Sequence, residues 1–224
     1  MTKPPSSQAA LQQRLQDHGV QLYLNATPTK ITATQVMLQD GRAIDASIVF
    51  SAAGVEPDNW LAREAGLRIG STGGLWVDEQ QRTSDPDIFA AGDAVEKHGQ
   101  LTGDSTMIPL ANLANRHGRL VADAIAGKDV QAHSALGTVI IGAFGFAAGI
   151  TGLSERAAAK AGIAAQVIHL HPGSHAGYYP GSQRISLKVL FHPETGKLLG
   201  AQATGFDGAD KRIDVLATAI FAGL

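Results

Sequence analysis

The sequence of 224 residues contains no cysteine. This excludes a disulfide framework, a zinc site with cysteine ligands and a thiol nucleophile within the chain. Lysine and arginine number 18 against 20 acidic residues, and they form no basic run. The sequence therefore lacks the electrostatic signature of a protein that binds nucleic acid or a membrane surface, and we expect neither partner.

Long apolar runs are also missing. The longest, Val139 to Ile150, is interrupted by three glycines, whereas a membrane span needs roughly 18 uninterrupted apolar residues. Residues 1–10 are polar and carry no apolar segment typical of a secretion signal. With 44% hydrophobic residues and a formal net charge of −2, the composition predicts an ordinary soluble globular protein in the cytoplasm.

The first half of the sequence predicts short helices alternating with strands. Leu11 and Leu15 stand four apart in an amphipathic helix from Gln8 to Asp17. Strand-like runs follow at Val20–Leu24 and Ile31–Leu38, and a hairpin turn at Asp40–Gly41 predicts a small antiparallel meander.

Two further apolar runs, Ala46–Gly54 and Asp87–Ala91, predict strands that are buried on both faces. Asp58 is placed to cap a short helix from Asn59 to Ala65. Pro109 opens the longest predicted helix, from Leu110 to Ala126.

The pattern changes after Gly127, where several strands surround one short helix. The predicted elements are Thr138–Ile150, a helix capped by Ser154, Ile163–Leu170, Arg184–Phe191, Leu198–Thr204 and a helix from Ala209. The last helix is apolar on one face and stops at Leu224 without a capping residue, which indicates a truncation.

Asp93 is the main candidate for a functional residue. It follows Gly92 at the end of the second predicted buried strand, where an α/β sheet places the side chains that hold ligand hydroxyl groups. The residues alone also allow a simpler role, because an Asp at a strand end often caps a turn or a helix.

The run from Thr83 to Ala94, with its Ile-Phe-Ala-Ala-Gly-Asp-Ala ending, resembles the second flavin motif of the FAD-dependent pyridine nucleotide-disulfide oxidoreductases. The resemblance implies that Asp93 binds the ribityl hydroxyls of FAD. It also implies that the segment from Met107 to Arg119 is the helix whose amino end faces the flavin pyrimidine ring. The residues implied in cofactor binding are Gly92, Asp93, Pro109, Leu110, Ala111 and Asn112.

Further segments extend the resemblance over nearly the whole chain. Ala52–Pro57 is similar to the motif near the nicotinamide of NAD(P)H, although Glu56 stands where many members carry Arg, and it makes Gly54 a further cofactor candidate. Gly149–Glu155 and His175–Gly181 resemble the interface domain of the subgroup that includes coenzyme A disulfide reductases, NADH oxidases and nitrite reductase flavoproteins. The resemblance implies a homodimer through residues 128–224.

Tyr178 and Tyr179 belong to the second of these interface segments. By resemblance, either tyrosine could contact a small thiol or disulfide substrate in the active site of the partner subunit. The alternative is an aromatic pair that packs beside Pro180.

His169, His171 and His175 are spaced closely enough to suggest a metal site. His169 and His171 lie on the same face of a predicted strand, but they supply only two ligands, and no cysteine or nearby acidic residue completes the set. Solvent-facing strand residues explain them more simply, and we expect no metal.

The family needs two Gly-x-Gly-x-x-Gly loops and a redox cysteine, and the sequence contains none of these. We therefore expect no catalytic residue in this chain. The expected fold is α/β: residues 1–54 end an NAD(P)-binding domain, residues 55–127 form the second segment of a FAD-binding domain, and residues 128–224 form a mixed α+β dimerisation domain truncated at its end.

Two hypotheses of function remain. In the first, the chain is part of an enzyme that passes electrons from NAD(P)H through FAD to a disulfide, persulfide or oxygen. In the second, it is a non-catalytic homodimerisation module with a vestigial flavin site.

Overall fold

The computed structural model describes residues 7–224, and it begins with a helix followed by a small sheet. These elements are α1 (Ser7–Asp17), β1 (Pro28–Ile31), β2 (Gln35–Leu38) and β3 (Ala43–Asp45). The three strands form an antiparallel sheet in the order β1-β2-β3, as expected for a small meander. The predicted strand Ile31–Leu38 is wrong as a single strand, because residues 32–34 bend the chain between β1 and β2. Gly41 has φ +86° in the turn between β2 and β3, a conformation that glycine adopts without strain. The predicted strand at Val20–Leu24 is wrong, because these residues form turns and irregular chain.

The predicted buried strand at Ala46–Gly54 is also wrong for this chain. The segment has no regular strand structure, and Ile48 and Phe50 are 73% and 88% exposed. An apolar run becomes a buried strand only when neighbouring strands accept its backbone hydrogen bonds, and no strand of residues 7–224 pairs with it.

The middle of the chain packs around one small apolar cluster of Ala62, Leu75, Val77 and Val95. Its regular elements are α2 (Trp60–Glu64), β4 (Lys97–His98), β5 (Ser105–Thr106) and α3 (Ala111–Ile125). The two predicted helices are therefore confirmed, although Asn59 rather than Asp58 occupies the N-cap of α2.

The predicted strand at Asp87–Ala91 is wrong. Only one isolated bridge, between Arg82 and Phe89, forms there, and Ile88 is 39% exposed. A tight turn precedes it, in which the Ile88 N–H donates to the carbonyl oxygen of Asp85 at 3.1 Å. This turn leaves too few extended residues for a regular strand.

The remainder of the chain forms a five-stranded antiparallel sheet in the order β6-β7-β10-β9-β8. Its elements are β6 (Val139–Ala143), β7 (Phe146–Gly152), α4 (Glu155–Lys160), β8 (Gln166–Leu170), β9 (Ser186–Phe191), β10 (Leu198–Gly205) and α5 (Ala209–Phe221). Helix α5 packs on β10 and β7, and Ile213 lies in the core between helix and sheet. The Ser154 hydroxyl accepts a hydrogen bond from the Ala157 N–H at 3.1 Å, as the predicted cap of α4 requires.

Helix α1 docks on this sheet at the turn between β6 and β7. The Arg14 guanidinium donates two hydrogen bonds to the carbonyl oxygen of Phe144, at 3.2 and 2.6 Å, and lies 5.0 Å from the ring centre of Phe206. His18 stacks on the Phe144 ring at 4.3 Å. The amino-terminal helix and the carboxy-terminal sheet are therefore in direct contact. Across residues 7–224, the helices are too short or too polar to span a membrane.

Candidate functional site

Gly92 and Asp93 form an open turn on the surface of the middle part. Gly92 has φ +94°, and a Cβ atom built on it would meet nothing within 4 Å, so the space in front of this turn is free. The Asp93 side chain is exposed and forms no ion pair within residues 7–224. The turn therefore leaves the Asp93 carboxylate accessible from outside the protein.

Backbone hydrogen bonds hold the residues that follow the turn. The Leu75 N–H donates to the carbonyl oxygen of Ala94 at 2.8 Å, and the Glu96 N–H donates to that of Leu75 at 2.9 Å. The buried Glu96 carboxylate accepts hydrogen bonds from the Thr72 N–H and hydroxyl, at 2.5 and 2.7 Å. Residues 94–96 are thus fixed to the loop that carries Thr72 and Leu75.

Lys97 is buried under the turn, with 4% of its surface exposed. Its ammonium donates to the carbonyl oxygens of Gly92 and Val95, at 2.5 and 2.8 Å. Burial lowers the pKa of Lys97, and the negative charge of Asp93 opposes this shift. The base of the turn therefore contains a buried cation close to the exposed carboxylate.

The pairing of β4 with β5 connects this turn to the segment that leads into α3. Lys97 pairs with Thr106 and His98 with Ser105 in antiparallel register. Because the strands run in opposite directions, the residues after Thr106 run back alongside those that precede Lys97. Helix α3 begins at Ala111, five residues after Thr106, and its His117 lies near enough to Lys97 to feel that residue's charge.

The amino end of α3 is open. Pro109 is exposed, and Leu110 is the N-cap in extended conformation, with no hydrogen bond from its side chain to the helix. Ala111 and Asn112 are exposed, and within residues 7–224 their backbone N–H groups have no hydrogen-bond acceptor. Such a helix end carries a partial positive charge and free donors, which suit an electron-rich or anionic ligand group.

His117 lies on the inner side of α3, with 5% of its surface exposed. Its Nδ1 atom has no hydrogen-bond partner in the described chain. Burial lowers the pKa of the His117 imidazole, and the nearby charge of Lys97 lowers it further. The sequence interpretation missed both His117 and Lys97, although the position of His117, four residues after the apolar Leu113, is a signal for the buried face.

A groove of about 840 Å³ runs between α3, residues 130–138 and the end of α5. Of the predicted cofactor residues, Leu110 and Asn112 line it, whereas Gly92, Asp93, Pro109 and Ala111 do not. The Gly92–Asp93 turn therefore forms no part of the wall of this groove.

The remaining candidates lie elsewhere. Gly54 is exposed with φ +107° and borders the exposed apolar segment. Tyr178 and Tyr179 project from the loop between β8 and β9 and are 92% and 67% exposed. The Tyr179 ring contacts the edge of His175, with ring centres 5.5 Å apart. Both phenol groups are accessible to a second molecule.

The histidines considered for a metal site do not converge. His169 and His171 are both exposed. In the part of the chain that the structure describes, no group of three or more His, Asp or Glu side chains is arranged to hold a metal ion.

The structure is a mixed α/β protein of two parts. The first part contains the exposed Gly92–Asp93 turn and the open end of α3, and the second is the five-stranded antiparallel sheet covered by α5. The chain belongs to the pyridine nucleotide-disulphide oxidoreductase family. The family model matches residues 1–118, and the model of the family's dimerisation domain matches residues 140–224. This confirms the family and the fold class that the sequence motifs indicate.

Three similar proteins are described as reductases or oxidoreductases of sulfur compounds or of coenzyme A. The NAD(P)H sulfur oxidoreductase (CoA-dependent) of Pyrococcus furiosus is 37% identical over 187 residues, which cover 84% of this chain and 42% of that protein. The NAD-dependent persulfide reductase of A. fulgidus has a TM-score of 0.95 at 34% identity, covering 97% of this chain and 41% of that one. The reduced CoADR-RHD of Bacillus anthracis has a TM-score of 0.94 at 39% identity, with 100% and 41% covered. The chain thus spans less than half of each.

Proposed function

We propose that this chain supplies one half of a flavin site and the dimerisation domain of a flavoprotein oxidoreductase. In the whole protein, electrons pass from NAD(P)H through FAD to a disulfide, persulfide or oxygen. The observation that carries the proposal is the antiparallel pairing of β4 with β5, which connects the exposed Gly92–Asp93 turn to the segment that leads into the open end of α3. Relatives that act on sulfur substrates or coenzyme A disulfide, and others described as NADH oxidases, support the same reaction class.

The residues present fit a flavin. Asp93 offers carboxylate oxygens that can accept hydrogen bonds from ribityl hydroxyls, and Gly92 leaves open space for close approach. The free N–H groups of Ala111 and Asn112 can donate to carbonyl oxygens at the pyrimidine edge of the ring. FAD, when bound, supplies the two-electron chemistry, and these residues orient it and stabilise negative charge on its ring.

The chain contributes no thiol, since it contains no cysteine, and it contains no glycine-rich pyrophosphate loop. A few hydrogen bonds worth about 1 kcal/mol each give only weak affinity, roughly millimolar. We therefore expect the isolated chain to bind FAD weakly at most and to lack oxidoreductase activity.

We also propose the arrangement of the remaining parts. Residues 1–54 end an NAD(P)-binding domain, residues 55–127 contribute to the FAD-binding domain, and residues 128–224 mediate a homodimer. The exposure of Tyr178 and Tyr179 supports a role in contacting a thiol or disulfide substrate across that dimer.

Site-resolved titration tests the flavin half-site even if binding is weak. The backbone amide resonances of the purified chain are followed by NMR while FMN is added, with AMP as the control ligand. FMN carries the ring and the ribityl chain, so it should shift the amides of Gly92, Asp93, Ala111 and Asn112, whereas AMP should not.

The variant Asp93→Asn should weaken the FMN-induced shifts, whereas Asp129→Asn, at an exposed aspartate outside the site, should leave them unchanged. If FMN shifts none of these amides at millimolar concentration, the half-site is wrong for this chain, and the dimerisation module remains as the function. The sedimentation velocity of the same sample reports whether the chain forms the proposed homodimer.

A further inference from the structure

The Gly92–Asp93 turn has a weak internal hydrogen bond. The Val95 N–H, which closes the turn, lies 3.4 Å from the carbonyl oxygen of Gly92. This distance exceeds the usual range of 2.7–3.2 Å for such a bond. The same oxygen accepts the Lys97 ammonium at 2.5 Å. A short bond from a charged donor is the stronger of the two, so Lys97 makes the principal contact that closes the turn.

The residues around Lys97 are held in other ways. Ala94 and Glu96 bond to the backbone of Leu75, and the Glu96 carboxylate bonds to Thr72. Removal of the Lys97 ammonium would therefore leave residues 94–96 in place. It would release the carbonyl oxygen of Gly92, and with it the direction in which Asp93 projects.

A buried ammonium whose two hydrogen-bond acceptors are carbonyl oxygens is costly if stability is its only role. Within residues 7–224, the Lys97 side chain forms no ion pair, and its acceptors are the two carbonyl oxygens. Removing a cation from water is costly unless it is well paired, and an apolar side chain of similar length would fill the same space. The position of the two acceptors, at both ends of the turn, indicates a role in its geometry.

We propose that Lys97 is a positioning residue for the flavin half-site: its ammonium clamps the carbonyl oxygens of Gly92 and Val95 and thereby aims the Asp93 carboxylate at the ribityl hydroxyls. This inference rests on the proposed function. Lys97 itself is buried under the turn and acts through Gly92 and Asp93 rather than on the ligand.

Three variants test this clamp in the full chain. Lys97→Met keeps the length of the side chain and removes its donors, and Lys97→Arg keeps a charged donor. Ile213→Ala is the stability control, because Ile213 lies in the core of the five-stranded sheet, a cluster that contains neither Val95 nor Lys97. Thermal unfolding identifies a temperature at which all three variants are folded, and the remaining measurements are made there.

Two measurements follow, amide hydrogen exchange without ligand and the NMR titration with FMN. Lys97→Met should speed exchange at Val95 and weaken FMN binding by about tenfold or more, because a bond from a charged donor is lost. Lys97→Arg should lose less, and Ile213→Ala should lower the melting temperature without this local change.

The outcomes separate the two proposals. Lys97 is not a positioning residue if Lys97→Met shows the same exchange at Val95 and the same FMN binding as the unmodified chain. The same conclusion follows if Ile213→Ala weakens FMN binding as much as Lys97→Met does. If FMN shifts no amide in the unmodified chain, the proposed function fails. In that case, unchanged amide exchange at Val95 in Lys97→Met would also show that Lys97 does not hold the turn. Faster exchange would show that Lys97 holds the turn, although no flavin binds there.

Discussion

His117 and Lys97 lie close together inside the protein, on α3 and β4, and the positive charge of Lys97 disfavours a second positive charge on the imidazole. Burial is the larger cause of the lowered pKa of His117. In the unfolded chain His117 titrates at its ordinary value of 6.5, so the unfolded state binds its proton at a higher pH than the folded state does.

This difference predicts a loss of stability in mild acid. The contribution of neutral His117 is fully present above pH 6.5 and decreases as the pH falls from 6.5 towards the lower pKa of the folded state. Urea unfolding between pH 5 and 8 should show this decrease, and His117→Leu should reduce it. The exposed His169 provides the control variant, His169→Leu, which should keep the slope of the unmodified chain. An unchanged slope in His117→Leu would contradict the prediction.

Gly200 lies where β10 crosses close to the end of β7. A Cβ atom at this position would be 2.0 Å from the carbonyl oxygen of Leu153, which is backbone and cannot move aside. We expect Gly200→Ala to lower the free energy of unfolding by roughly 2 kcal/mol or more, within the range of strain from overpacking.

Gly118 offers a matched glycine in an open position. It lies inside α3, and a Cβ atom there would meet nothing within 4 Å. Gly118→Ala should raise the free energy of unfolding by about 0.5–1 kcal/mol through helix propensity. Denaturant unfolding of both variants checks the pair, and equal effects of the same sign would refute the packing argument.

Ile213 of α5 lies in the core of the sheet and is 1% exposed. Ile213→Ala should cost about 2–5 kcal/mol, because the substitution removes apolar burial and leaves a cavity. Val215 on the outer side of α5 is 67% exposed, so Val215→Ala should change stability by about 0.5 kcal/mol or less. A comparable loss in both variants would show that α5 does not pack as described.

Arg14 is the principal polar contact between α1 and the carboxy-terminal sheet. We expect Arg14→Leu to release α1 from the turn at Phe144, which limited proteolysis near residues 7–20 and amide exchange in α1 would detect. The global free energy of unfolding should fall by only about 1 kcal/mol, because the site is exposed. Arg119→Leu, at an exposed arginine of α3, should leave proteolysis of α1 unchanged. Equal protection of α1 in both variants would mean that other contacts hold it.

Local signals in the sequence predicted most of the elements correctly. Pro109 and the apolar spacing after it predict α3, and Ser154 predicts the start of α4, because a helix and its caps depend on residues that are close in sequence. The meander at residues 28–45 follows from its turn at Asp40–Gly41 for the same reason.

Local signals could not decide whether the segments Ala46–Gly54 and Asp87–Ala91 form strands. An apolar run indicates burial, but its strand form depends on the neighbours that receive its hydrogen bonds. Lys97 was missed for a different reason. Lysine is usually exposed, and its acceptors here are backbone carbonyl oxygens, which leave no pattern of residue types in the sequence.

The exposed run Ala46–Ala52 has a consequence for the behaviour of the chain in concentrated solution. It contains Ile48, Val49 and Phe50 with no charge and no proline, the composition of segments that assemble into intermolecular β-sheets. A formal net charge of −2 provides little repulsion between molecules. Light scattering should therefore rise with concentration, and Val49→Lys should suppress aggregation by placing a charge within the run.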